Sequence, residues 1–187
     1  MTRRPAALFA GTVASVLLVD QVSKAVVRTS LGVGQSIPVI HNVLSLTYVR
    51  NAGAAFGLFQ GGVPFFIATS LVVLAAIIWI LWRMKPTNGW FVLSLGLVAA
   101  GAAGNLIDRA TVGRVTDFLD VHIWPVFNVA DIALDVGVGI LIAWLLFSKD
   151  VPGADAASET ELATEEDGMV TAPDGAGLGD ADAGPTT

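Results

Sequence analysis

The sequence predicts an all-α membrane protein: four transmembrane helices, with a small extracytoplasmic sheet and an interfacial segment in the first outer loop. Three observations predict it. The 187-residue chain is 54% hydrophobic, with a mean hydropathy of +0.71. Only 14% of its residues are charged, against about 25% in ordinary soluble domains. Four apolar segments each approach the ~20 residues that a helix needs to cross a ~30 Å hydrocarbon core.

The first span is read over about residues 6–27, interrupted by DQVSK. Its basic start followed by an apolar stretch also fits a cleavable signal peptide. No small-x-small cleavage site closes it and three spans follow, so a retained helix is expected. The second span covers about 63–82, the third about 90–107 and the fourth about 126–147. Between the first two, residues 29–62 form a long loop. SIPVIHNVLSLTYVRN mixes β-branched, apolar and polar residues, as a strand on a membrane surface does. GAAFGLFQGG then supplies glycine turns and exposed aromatics for the interfacial segment. Trp79, Trp82, Trp90 and Trp124 read as interface anchors. Residues 150–187 are rich in Gly, Ala and acids, and are expected to be a disordered cytoplasmic tail.

The net charge of −6 conceals an asymmetry. The tail holds ten acids and no Lys or Arg; residues 1–149 hold ten Lys and Arg against six acids, about +4. No basic run interleaves with aromatics, so nucleic acid is excluded as a partner. The chain has no cysteine, which removes disulfides, thiol nucleophiles and thiolate metal sites. His41 and His122 form no zinc motif, and neither a metal nor a cofactor is expected. Lys and Arg placement sets orientation. Arg3, Arg4, Arg83, Lys85 and Lys149 fall on one side; Lys24, Arg28, Arg50, Arg109 and Arg114 fall on the other. The tie is broken toward cytoplasmic termini, because the N-terminal and short-loop charges dominate.

The six acids before the tail are all aspartates: Asp20, Asp108, Asp117, Asp120, Asp131 and Asp135. Five fall near the outer ends of spans or in the third loop, and Asp135 lies about one turn deeper than Asp131. Asp20 and Lys24 are i, i+4 and share a helix face. Asn105 and Asp108 are i, i+3, as are Asn128 and Asp131, and Arg109 is adjacent to Asp108. Polar residues in membrane helices turn inward and find partners, so these groups converge on one pocket. A Ser23–Lys24 dyad is disfavoured, since the neighbours point apart and Asp20 keeps Lys24 charged. Two aspartates flanking a water remain, sharing one proton because both cannot ionise easily. The rival class is a small ion or proton transporter using intramembrane Asp and Lys, which predicts acids spread through the depth and a pseudo-repeat. No repeat is visible.

VDQVSK (19–24), RNAGAAF (50–56), GAAGNLIDR (101–109), VTDF (115–118) and FNVAD (127–131) occur in that order. Together they closely resemble the lipoprotein signal peptidases, or signal peptidase II, bacterial inner-membrane aspartic peptidases; the resemblance spans residues 8–147. It implies a multi-pass enzyme that removes the signal peptide of diacylglyceryl-modified prolipoproteins just before the lipidated cysteine, near the extracytoplasmic face. By the same resemblance the catalytic pair is Asp117 and Asp131. The supporting residues are Asp20, Lys24, Asn51, Gly53, Asn105, Asp108, Arg109 and Asn128, and the first outer loop is a β-cradle. The implied partners are these prolipoproteins and membrane lipids, with the enzyme acting as a monomer, since one chain supplies every motif. Asn51 and Gly53 also fit plain turn residues, and Asp20–Lys24 a structural ion pair. Asp120 and Asp135 match no motif; Asp135 reads as a satisfied polar residue inside the bundle, and both stay outside the expected site. Two departures stand out: the acidic tail, and Ala100 where many members have a second glycine.

Overall fold

The computed structural model describes residues 3–53 and 62–148. Most of the interfacial segment and the acidic tail lie outside the described residues.

Among the described residues, four helices are long and apolar enough to cross a membrane: α1 (Arg3–Ser30), α2 (Val63–Met84), α3 (Gly89–Thr111) and α4 (Val129–Phe147). Among the same residues, three short strands form one antiparallel sheet in the order β1-β2-β3: β1 (Ser36–Ile40), β2 (Leu44–Asn51) and β3 (Val115–Asp120). The bundle and the small sheet match the sequence expectation, with one difference. The first helix runs through DQVSK as expected, with Asp20 and Lys24 neutralising each other within it at 2.9 Å. The third strand was expected as a loop. VTDFLD extends because β2 offers it a partner, pairing Val49 with Asp117 and Asn51 with Val115.

α3 is the central helix. It buries residues along nearly its whole length, from Phe91 to Asp108, whereas α2 buries only Ile77. Its small residues explain this, since Gly and Ala let helix backbones approach closely where no water drives association. A Cβ at Gly101 would collide with the Ala130 carbonyl oxygen and come within 2.6 Å of the Leu134 side chain. One at Gly104 would stand 2.6 Å from the Asp20 carboxylate. These two glycines bring α1 and α4 against α3 where the polar residues gather.

Two apolar clusters hold the ends. Ile77, Phe91, Leu95 and Ala99 pack with Trp144 and Phe9 at the end away from the sheet. Val27, Tyr48 and Phe118 join the end of α1 to the sheet. The β1–β2 turn places Asn42 at φ 57°, a left-handed conformation that asparagine tolerates well. The outer faces of the helices carry exposed Leu, Val, Ile and Trp, as a lipid-facing surface requires.

Candidate active site

The site is built from the start of α4 outward. Phe127 pairs with Leu119, its N–H donating to the Leu119 carbonyl at 3.1 Å while its own carbonyl accepts from Leu119 N at 2.8 Å. The chain entering α4 is thereby stitched to the end of β3, which brings FNVAD beside VTDF. The helix opens with a reciprocal cap. The Asn128 side-chain oxygen accepts from Asp131 N at 3.0 Å, and the Asp131 carboxylate accepts from Asn128 N at 3.1 Å. This is the capping-box arrangement, with Asp in place of the usual Glu. Asp20 satisfies the next orphan donor, accepting from Ala130 N at 2.9 Å.

Each oxygen of Asp117 accepts one amide hydrogen bond. Asn128 Nδ2 donates to one at 2.7 Å and Asn51 Nδ2 to the other at 3.0 Å. On Asp131, Oδ1 accepts from Asn105 Nδ2 at 2.7 Å. Asn105 in turn accepts from Lys24 Nζ at 3.1 Å and from Asn128 Nδ2 at 3.2 Å. Lysine can only donate, so Lys24 fixes which end of the Asn105 amide faces Asp131. The Asp131 backbone N–H fixes Asn128 in the same way. Asn128 thus bridges the two aspartates.

Behind this layer sits a buried ion network. Lys24 and Asp20 are fully buried, and Lys24 Nζ lies 3.6 Å from Asp108. Asp108 accepts from Arg28 at 3.2 Å and from Thr116 N at 2.8 Å, tying α1, α3 and β3 together. Arg28 also donates to the Thr116 hydroxyl at 3.1 Å. Arg28 was expected only as a loop-side cation; its spacing of four from Lys24 and eight from Asp20 was the available signal.

In front of the aspartates lies a cavity of about 520 Å³. Its polar lining includes Asn51, Gly53, Asn105, Arg109, Asp117 and Asp131. Its apolar wall comes largely from the β3–α4 connection, including Trp124, Pro125 and Phe127. Arg109 lies 4.8 Å above the Phe66 ring, linking the cavity rim to α2. The cavity wall is braced at its start. Asp120 accepts from His122 N at 2.9 Å and from the Thr47 hydroxyl at 2.9 Å, and His122 Nε2 meets Ser45 Oγ at 3.2 Å. The His122 backbone hydrogen bond, with the Thr47 hydroxyl, holds the Asp120 carboxyl below the usual carboxylate range.

Asp117 has the opposite environment. Burial, then the charge of Asp131, push its pKa up to about 6, against the amide hydrogen bonds of Asn51 and Asn128. A carboxyl near neutrality beside a second carboxyl can hold or release a proton during a reaction.

All ten expected site residues converge on this region: Asn51, Gly53, Asn105, Arg109, Asp117 and Asp131 line the cavity, and Asp20, Lys24, Asp108 and Asn128 stand directly behind it. Asp135 corrects the sequence reading. It is not a satisfied residue inside the bundle; it is exposed, lines the cavity, and has no hydrogen-bond or ion-pair partner among the described residues. Its spacing of four from Asp131 was the overlooked signal.

The comparisons with known proteins follow the same residues. The family model described as signal peptidase (SPase) II matches residues 12–147. The lipoprotein signal peptidase of Pelotomaculum thermopropionicum is 44% identical over 149 residues, covering 80% of this chain and 95% of that protein. That of Geobacter metallireducens is 45% identical over 141 residues, covering 72% and 87%. A solved structure titled "Bacterial membrane enzyme structure by the in meso method at 2.3 A resolution" superposes with a TM-score of 0.72 at 34% identity, covering 77% of this chain and 92% of that one. With the match running from the first helix to the end of the fourth, this chain belongs to the signal peptidase II family of multi-pass bacterial membrane proteases.

Proposed function

We propose that this protease is an aspartic endopeptidase that cleaves the signal peptide from diacylglyceryl-modified prolipoproteins immediately before the lipidated cysteine. The observation that carries the reading is the bridge from Asp117 through Asn128 to Asp131 at the floor of one cavity. The two carboxyls share one proton and hold a water between them. The ionised member takes a proton from that water, whose oxygen attacks the scissile carbonyl carbon. The protonated member gives its proton to the carbonyl oxygen, forming a neutral tetrahedral diol. That intermediate collapses as a proton passes to the departing nitrogen and the C–N bond breaks. The products are a signal peptide ending in a carboxyl group and a cysteine with a free amine. The titrations of the two acids are coupled, because the charge of Asp131 is one cause of the raised Asp117 pKa.

Asn105 and Asn128 hold the carboxyls in register, and Lys24 holds Asn105. Asp20, Asp108, Arg28 and Thr116 fix the elements that carry them. Arg109, Asn51 and Gly53, on the rim, contact the bound peptide. The active site faces the extracytoplasmic side of the cytoplasmic membrane, both termini face the cytoplasm, and the enzyme works as a monomer.

The test uses the full chain in detergent with a diacylglyceryl-modified prolipoprotein. Wild type releases a free signal peptide. Asp117→Asn and Asp131→Asn each lower the rate by at least about 100-fold, the lower end of what general acid–base groups supply, with the helical circular dichroism unchanged. Cleavage by either variant at near the wild-type rate refutes the dyad. Absence of any released peptide from wild type favours the transporter class.

A further inference from the structure

We propose that Asp135 is a specificity-determining residue that accepts a hydrogen bond from a hydroxyl side chain of the substrate, two to four residues before the cleaved bond. The proposal rests on the peptidase reading above. Four observations carry it. Asp135 lines the same cavity as Asp117 and Asp131. It sits one turn along α4 from Asp131, on the same face. It has no polar partner among the described residues. Its neighbours on α4 are apolar, with Ala133 and Gly137 buried against the bundle and Ile132 and Val136 exposed. An ionisable side chain that a membrane helix keeps without an internal partner finds its partner in what enters the cavity.

Direction and distance select the partner. Asp131 caps the end of α4 nearest the sheet, and Asp135 is one turn further into the span. A signal peptide keeps its basic start in the cytoplasm and presents its cleavage site at the opposite face. The residues before the cleaved bond therefore lie deeper than the bond itself, toward Asp135. Four helical residues rise ~6 Å, which is about two residues of extended peptide or four of helix. Along that stretch the peptide must leave its helix to expose the scissile carbonyl. A hydroxyl there then has no carbonyl of its own helix to bond, and hydrocarbon offers it none. The Asp135 carboxylate supplies the acceptor.

The experiment compares diacylglyceryl-modified precursors that differ only by serine or alanine at the second, third or fourth residue before the cysteine. The full chain in detergent prefers serine at one of these positions by about tenfold in kcat/KM, as one hydrogen bond to a charged acceptor predicts. Asp135→Leu reduces that ratio below about twofold, yet cleaves the alanine precursor at near the wild-type rate. Asp135→Asn, whose amide oxygen still accepts, keeps an intermediate ratio, and this holds the test open should the leucine variant fold poorly. A serine preference that survives in both variants, or none at any position in wild type, overturns the proposal. Failure of the peptidase reading looks different, because wild type then cleaves no precursor of the set.

Discussion

At the scale of single residues, the site holds charge where burial opposes it. Asp117 has a pKa of about 6 in the folded chain, against an ordinary 3.8, with burial the larger cause and Asp131 the next. The folded state therefore grips the proton more tightly than the unfolded chain. The stability from that proton is fully present below about pH 3.8 and is lost as pH rises through about 6. The whole interval corresponds to roughly 3 kcal/mol. Asp117→Asn removes the ionisation, so this variant melts above wild type in detergent at about pH 8, and the gap narrows toward about pH 4. A gap independent of pH would show that Asp117 ionises without cost. Lys24 gives the opposite result. Its removal in Lys24→Met leaves the fully buried Asp20 without its cation and Asp108 with Arg28 alone, and costs about 3–5 kcal/mol. It also frees the Asn105 amide, so turnover falls even where the fold survives at low temperature. A thermal melt and an activity assay on the same sample check both effects.

At the scale of elements, the helix contacts depend on missing side chains. Gly101 faces the Ala130 carbonyl and Leu134 at the start of α4, with no room for a methyl group, while Gly139 on α4 has open space around it. Gly101→Ala forces α3 and α4 apart at the turn that carries Asp131. It costs about 1–3 kcal/mol and lowers activity with it. Gly139→Ala is neutral or stabilising by up to about 1 kcal/mol, since alanine is the better helix former. Equal melting temperatures for the two variants would contradict this packing. The same contrast shows what the sequence made legible. The spans were readable because each is long and apolar, and the Asn-Asp and Asp-Lys spacings already placed their polar faces inward. β3 was not readable. VTDFLD is short, lies between two helices, and extends only because β2, more than sixty residues earlier, supplies its ladder. Local pattern carries no trace of a partner that distant. Asp135 was misread for a related reason: one charge on an apolar helix suggests an internal partner, and only the cavity beside it shows otherwise. Arg28 was countable as a cation, but its bond to Asp108 depends on α1 and α3 meeting.

At the scale of the whole molecule, the unresolved balance of charge becomes an argument about orientation. The sequence set five cations against five. Of those on the side that carries the sheet, Lys24 is fully buried in ion pairs, Arg28 is bonded to Asp108 and Thr116, and Arg109 lies over Phe66 in the cavity rim. All three lie within helices α1 and α3. Only Arg50 and Arg114 remain outside the helices on that side. The other end keeps Arg3 and Arg4 at the start of α1, with Arg83 and Lys85 at the turn between α2 and α3. Short-loop cations mark the cytoplasmic side, which supports the proposed orientation with the sheet and the cavity outside. The absence of cysteine makes this directly measurable. A single cysteine at Val39, exposed on β1, reacts in intact cells with a maleimide that cannot cross membranes. One at Asn88, in the turn before α3, reacts only after the membrane is opened. The reverse pattern would invert the protein, put the aspartates on the cytoplasmic side, and leave an exported lipoprotein precursor without access to them.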